Sequence, residues 1–148
     1  MAREAEEKRE EFLNKLALLG YDVEQVSKRP QIYRINGHLV NIRSSTRPRN
    51  ELGDRCFWYD ISLNVLRKVE FVIYLTTEPD YFVMFPSSFL ASLVDRMYRR
   101  KDRESTRIFD IDWDALDIIL QGGEWVNIEK FYCDLKDKNE SPKFNGES

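Results

Sequence analysis

The stretch IYRINGHLVNIRSS, residues 32–45, determines the predicted fold of this chain. Its Asn36-Gly37 pair is typical of a type I′ turn, which requires positive φ at both central residues. Strand-forming residues flank the pair, with Ile35 before it and an apolar, alternating segment over 39–42 after it. The stretch therefore predicts an antiparallel β-hairpin.

Patterns on both sides of the hairpin predict a mixed α/β architecture. An amphipathic helix is expected over residues 2–19, with Gly20 at the position that ends it. Strands are expected at FWYDIS (57–62), VEFVIYL (69–75) and YFVMF (81–85). The nearly continuous apolar run at 69–75 is typical of a strand buried on both faces, so it predicts an interior strand of the sheet.

Helices are expected in the C-terminal third. One begins after Pro86 and would bury Phe89, Leu93 and Met97, with basic residues opposing the negative end of its dipole. Two further helical regions are expected at about 112–120 and 127–135. The polar residues 136–148 predict a disordered tail, which leaves residues 1–135 as one domain.

Composition limits the cellular setting. Cys56 and Cys133 lie far apart without a CxxC spacing, which favours reduced thiols over a disulfide or a zinc site. The N-terminus has no apolar segment typical of a signal peptide, and no apolar run reaches the roughly 20 residues of a membrane span. We therefore expect a soluble cytoplasmic protein that does not enter a membrane.

Charge is distributed unevenly along the chain. The formal net charge of -3 does not by itself indicate a nucleic-acid-binding protein. Residues 28–55 nevertheless contain a basic cluster opposed only by Glu51 and Asp54. Its members are Lys28, Arg29, Arg34, Arg43, Arg47, Arg49 and Arg55. This segment is either a phosphate-binding surface or a solvated basic loop.

The order of the predicted elements resembles the core of the PD-(D/E)XK nucleases, the restriction-endonuclease-like superfamily. The resemblance spans about residues 2–135 and rests on short motifs in a matching order. These are Gly20-Tyr21, Asn36-Gly37, Arg43-Ser44-Ser45, Phe57-Trp58-Tyr59 and YFVMFPSSFL at 81–90. It implies a single-domain, restriction-endonuclease-like mixed β-sheet flanked by helices, with a role in DNA processing or defence.

The three catalytic positions that the resemblance implies hold other residues here. Alignment on the hairpin turn places Ile32 at the motif aspartate, Asn41 at the second acidic position and Arg43 at the lysine. Two carboxylates are needed to hold the divalent cation that drives this hydrolysis. The resemblance thus implies a degenerate member, with no catalytic residues, no metal and no cofactor. A migrated magnesium site using Asp22, Glu24 or Asp60 is the alternative.

Two binding functions remain open for such a fold. Arg43, Arg47, Arg49 and Arg55 could contact the phosphates of DNA or RNA, because arginine binds phosphate through two parallel hydrogen bonds. Alternatively, Arg43 forms a salt bridge with Asp60 or Glu70 on a neighbouring strand. Independently of that salt bridge, the chain could be a protein-interaction module or an inhibitor subunit, which the acidic net charge favours.

The run Asp110, Asp112, Asp114 has the spacing that begins an EF-hand calcium loop. That loop requires glycine at its sixth position and glutamate at its twelfth, where this chain has Ala115 and Gln121. Capping of the helix expected at about 112–120 by Asp110 or Asp112, with acidic residues in its first turn, is the simpler explanation.

We expect no magnesium- or manganese-dependent cleavage of DNA or RNA, because Ile32, Asn41 and Arg43 cannot hold a divalent cation. The measurement is incubation of the purified protein with plasmid and single-stranded substrates over a series of metal concentrations. Cleavage that is lost in Asp60→Ala or Asp22→Ala would instead establish the migrated site.

Overall fold

The hairpin forms as the sequence predicts. The computed structural model describes residues 2–45, 47–53, 55–78, 80–137, 141–142 and 144. Asn36 and Gly37 have φ of 48° and 86°, in the left-handed region that the turn requires. The two strands are antiparallel, and Ile32 lies directly opposite Asn41. The predicted hairpin is therefore confirmed.

Eleven strands and three α-helices make up the regular structure of the described residues. The helices are α1 (Ala2–Leu18), α2 (Leu63–Leu66) and α3 (Ser87–Ala91). The strands are β1 (Val23–Ser27), β2 (Ile32–Ile35), β3 (His38–Ser44), β4 (Cys56–Ser62), β5 (Phe71–Leu75), β6 (Tyr81–Pro86), β7 (Tyr98–Arg100), β8 (Arg103–Asp112), β9 (Asp117–Ile119), β10 (Trp125–Asn127) and β11 (Tyr132–Asp134).

The strands form two sheets. The first is six-stranded, in the order β1-β2-β3-β5-β6-β11, and its β3–β5 pair is parallel while the others are antiparallel. The second has the order β10-β9-β8-β4, and β7 also pairs with β8. Since β5 has a hydrogen-bonded neighbour on each side, the predicted interior strand is confirmed. The chain is thus a mixed α/β protein of single-domain size.

Strand β5 is buried on both faces because it lies between two hydrophobic cores. Val72 and Tyr74 join the core between the two sheets. Ile73 joins the other core, where Phe12 and Leu16 of α1 pack on the opposite face of the first sheet. The molecule therefore has three layers, with the first sheet between α1 and the second sheet.

Helix α1 ends where the sequence predicts. Gly20 has φ of 97°, the left-handed conformation that glycine adopts without steric cost. The Tyr21 N–H donates to the Leu16 carbonyl at 3.0 Å, and the Gly20 N–H donates to the Ala17 carbonyl at 3.1 Å. This is the Schellman pattern of helix termination.

The helical predictions for the C-terminal third are wrong in most of their length. The helix after Pro86 ends at Ala91, and the chain then forms a 3-10 turn and the edge strand β7. The region 112–120 is mainly the β8–β9 turn and β9, and only a 3-10 turn at Glu129–Phe131 is helical within 127–135. Strand β8 is ten residues long and pairs with β4, β7 and β9, so sheet pairing overrides the local helical pattern.

Part of the predicted tail packs against the domain. Phe144 is buried, with its ring 6.2 Å from that of Tyr21 and 5.6 Å from that of Phe71. Residues 138–140, 143 and 145–148 lie outside the described residues, so disorder there stays a prediction. Cys56 and Cys133 are both buried. None of the described helices has the length and apolar character needed to cross a membrane.

Replacement of Val72 by Asp should lower the free energy of unfolding by at least about 3 kcal/mol, because an unpaired carboxylate would enter the core between the sheets. Val26, on edge strand β1, is 46% exposed, so Val26→Asp is the matched control and should cost less than about 1 kcal/mol. Chemical denaturation measures both. An unchanged midpoint for Val72→Asp would contradict the interior position of β5.

Candidate functional site

The three degenerate motif positions lie together on one face of the first sheet. Ile32 and Asn41 are opposite each other across the hairpin, and Arg43 follows two positions along β3. Asn41 is fully buried, and its Nδ2 donates to the Gln31 carbonyl at 2.7 Å. Its Oδ1 has no hydrogen-bond partner within the described residues. The positions are thus adjacent, but their side chains contain no carboxylate.

The fold does not bring together the carboxylates proposed for a migrated metal site. Asp22 and Glu24 lie at edge strand β1 of the first sheet, and Glu24 forms a salt bridge with Arg34 at 3.5 Å. Asp60 lies on β4 of the second sheet. Among the described residues, no group of three or more His, Cys, Asp or Glu side chains is arranged to hold a metal ion.

Asp60 connects the two sheets. Its carboxylate accepts a hydrogen bond from the Arg43 guanidinium, and Arg100 of β7 lies 3.7 Å from its other oxygen. The Tyr74 hydroxyl donates to the Asp60 carbonyl at 3.1 Å. The alternative that Arg43 pairs with a neighbouring carboxylate is therefore confirmed for Asp60. Glu70 instead contacts His38 Nδ1 at 2.9 Å, and this hydrogen bond lowers the pKa of Glu70.

A cleft of about 330 Å³ opens beside the Arg43–Asp60 pair, and we call it the basic cleft. Arg43, Lys68 and Arg103 line it, against the single carboxylate of Asp60. Its other lining residues are Pro30, Ser62, Asn64, Val65 and Thr106. Neither Lys68 nor Arg103 has a salt bridge in the described part of the chain. The cleft therefore has a net positive charge and two cations free to bind an anion.

The four predicted arginines all precede β4 in the chain, and only Arg43 lines the basic cleft. The Arg47 guanidinium lies 5.1 Å from the Trp58 ring centroid, a cation–π contact. Arg49 contacts a carboxylate oxygen of Glu51 at 2.6 Å. Arg55 lies 3.4 Å from Asp114. Carboxylates of the same chain therefore neutralise much of the predicted basic surface.

Arg49 also reaches a buried carboxylate. Its Nη1 lies 3.4 Å from Oδ1 of Asp110, which is only 2% exposed. Burial raises the pKa of Asp110, and the nearby guanidinium opposes that rise. Arg49 is thus held by a structural ion pair on the second sheet.

The sequence-based prediction missed Lys68 and Arg103 as cleft residues. A signal was present, since Arg96, Arg99, Arg100, Lys101 and Arg103 form a dense basic cluster. We expected that cluster at a helix terminus, whereas strands β7 and β8 carry its central and last members. Strand pairing places Arg100 opposite Arg103 and directs the cluster toward Asp60.

The aspartate run at 110–114 caps a chain turn. Asp112 Oδ1 accepts the N–H groups of Asp114 at 3.0 Å and Ala115 at 3.2 Å, where β8 turns toward β9. Asp112 therefore stabilises a turn between two strands. The predicted helix cap is wrong, because strand β9 and not a helix follows the turn.

Comparison with known proteins identifies no relative. No protein-family profile matches the chain, and no curated protein or solved structure matches it significantly.

Replacement of Arg43 by Met should lower the free energy of unfolding by about 2 kcal/mol, because the Asp60 side chain is only 14% exposed and would lose its closest cation. Arg55→Met is the matched control, since the Arg55 and Asp114 side chains are 48% and 58% exposed. Its cost should stay below about 1 kcal/mol. Equal effects of the two replacements in urea denaturation would contradict a structural role for the Arg43–Asp60 pair.

Proposed function

We propose that this protein binds nucleic acid through its phosphates, in the basic cleft, and does not cut it. The observation that carries this proposal is the convergence of Arg43, Lys68 and Arg103 on a concave surface with one carboxylate. A cleft lined by charges of one sign focuses the electrostatic potential and concentrates anions. The phosphodiester backbone is the anion that such a surface attracts in a sequence-independent way.

The lining side chains have complementary roles toward a phosphate. Arg43 can donate two parallel hydrogen bonds, whereas Lys68 acts as a compact point charge. The Ser62 hydroxyl and the Asn64 amide add uncharged donors at the same cleft. A bound phosphate must compete with Asp60 for Arg43, which favours weak and reversible binding over tight capture.

Basic residues beside the cleft would extend its footprint. Arg29 adjoins Pro30 and Arg67 adjoins Lys68, and both arginines are exposed. The acidic face of α1 lies on the opposite side of the first sheet from the second sheet. The net charge of -3 is therefore compatible with a local positive surface.

The finer fold assignment belongs to the same proposal. A restriction-endonuclease-like fold is supported by hairpin β2–β3 beside the parallel strand β5, and by the adjacency of Ile32 and Asn41 to Arg43. In this proposal Arg43 retains a phosphate contact after the loss of the metal-binding carboxylates. The setting in DNA processing or defence rests on the resemblance alone, because a fold does not determine a function.

A protein-interaction module is the second candidate, and one observation favours it. Leu18 and Leu19, at the end of α1, are 87% and 53% exposed. Together with Leu135 they line a shallow apolar pocket of about 200 Å³. Apolar side chains grouped on a surface in this way are typical of partner contacts.

The double variant Lys68→Glu with Arg103→Glu reverses the charge of the two cations that line the basic cleft without a salt bridge among the described residues. It should abolish binding to labelled oligonucleotides at low salt, measured by fluorescence anisotropy. For the unmodified protein, each neutralised phosphate should contribute about one unit to the slope of log affinity against log salt. Arg47→Glu with Arg49→Glu should weaken binding less, because these arginines already contact Trp58, Glu51 and Asp110.

The matched control is Lys8→Glu with Lys130→Glu, which makes the same change in net charge at residues that do not line the basic cleft. It should retain most of the affinity. Equal losses in the two double variants would mean that only net charge matters, and absence of binding at low salt would favour the protein-interaction module. Thermal unfolding establishes that each variant is folded.

A further inference from the structure

A cleft lined in part by aromatic rings lies at the other end of β4. It has a volume of about 480 Å³, and we call it the aromatic cleft. Its lining residues are Arg55, Thr76, Glu78, Tyr81, Trp113, Leu116 and Tyr132. The Tyr81 and Tyr132 rings are nearly parallel, with an interplanar angle of 14° and centroids 6.2 Å apart.

We propose that the aromatic cleft receives an unpaired base of a single-stranded nucleic acid whose backbone lies in the basic cleft. This inference rests on the proposed function and narrows its ligand from nucleic acid in general to single strands. Concave sites that combine apolar and aromatic side chains with a few polar groups are the usual form of a ligand pocket, and this cleft combines three aromatic residues and Leu116 with polar ones. Base stacking on tyrosine and on arginine planes is the common mode of single-strand recognition.

The chemistry of the lining suits a base. Tyr81 and Tyr132 are partly exposed and offer ring surface, while the Trp113 Nε1 donates to the Tyr59 hydroxyl at 3.1 Å and fixes the indole in place. The exposed Glu78 carboxylate can accept a hydrogen bond from an exocyclic amino group. The ammonium group of Lys136 lies 5.4 Å from the Tyr81 ring centroid and adds positive charge at this end.

Arg55 is available for stacking or for a phosphate contact. Its contact with Asp114 is 3.4 Å long, and about half of each side chain is exposed. Exposed pairs of this kind contribute little to stability, so a ligand can displace the carboxylate at small cost.

The spacing of the two clefts fits a single strand. Arg55 immediately precedes β4 and Asp60 follows five residues later, which corresponds to about 16 Å in an extended strand. Between them, Arg47 stacks on Trp58 and provides a further cation and ring. A duplex keeps its bases stacked inside, whereas a single strand can place a base in one cleft and its backbone in the other.

The test compares normal and abasic single-stranded oligonucleotides of equal length and charge, in fluorescence anisotropy with the unmodified protein. The normal strand should bind at least about fivefold more tightly, which is the lower bound for one stacked base. A duplex of equal length should also bind more weakly than the normal strand. Lys68→Glu with Arg103→Glu should abolish binding of both single strands.

Three variants test whether the preference for the normal strand arises in the aromatic cleft. Tyr132→Ala should remove the preference for the normal strand, and Tyr132→Phe should keep it because the ring remains. Because Tyr132 also packs against the core, Arg55→Ala provides an exposed second variant, which should reduce the same preference. Unfolding midpoints confirm that the variants are folded.

The outcomes separate the two proposals. Equal affinity for normal and abasic strands would overturn the role of the aromatic cleft while leaving phosphate binding in the basic cleft intact. A preference that persists in both Tyr132→Ala and Arg55→Ala would also overturn it, since the base would then bind elsewhere. Absence of binding to every oligonucleotide would reject the proposed function and this inference together.

Discussion

Burial of β5 on both faces is the constraint on which the rest of the molecule depends. Val72 and Tyr74 fill the core between the sheets, while Ile73 and Leu75 fill the core under α1. Only a strand with neighbours on both sides can satisfy its backbone hydrogen bonds in that position. The parallel pairing of β5 with β3 therefore fixes the hairpin against the second sheet.

The same packing positions the candidate site. Tyr74 is fully buried, and its hydroxyl donates to the main chain of Asp60 on β4. Arg43, opposite Tyr74 in the sheet register, then meets the Asp60 carboxylate. An ion pair contributed by one residue from each sheet thus forms the wall of the basic cleft. Under the proposed function, stability and phosphate binding make opposing demands on Arg43, because the ligand must share the guanidinium with Asp60.

Charge placement, and not total charge, distinguishes the candidate functions. The chain has an excess of acidic residues, yet Lys68 and Arg103 lie beside Arg43 in a concave surface. The arginines that precede β4 contact carboxylates or an aromatic ring of the same chain, which reduces their effect at long range. Short-range binding that is sensitive to salt is the behaviour expected of such a distribution.

Local sequence patterns were sufficient to predict the hairpin, the end of α1 and the interior strand β5. Local rules are sufficient for these elements, because Asn36-Gly37 requires a tight turn, Gly20 ends a helix and the apolar run at 69–75 must be buried on both faces. The sequence also indicated Arg43 as a site residue, with Asp60 or Glu70 as its partner, and the structure selects Asp60.

The secondary structure of the C-terminal half and the full set of residues that line the basic cleft depend on long-range packing. Residues 94–134 form mostly strands, because long-range pairing with β4 and β6 outweighs the local helical pattern. That pairing brings Arg103 and Arg100 to Asp60, while the turn after α2 brings Lys68 to the same cleft. Contacts between residues distant in sequence depend on the packing of whole sheets, so no local pattern could specify them.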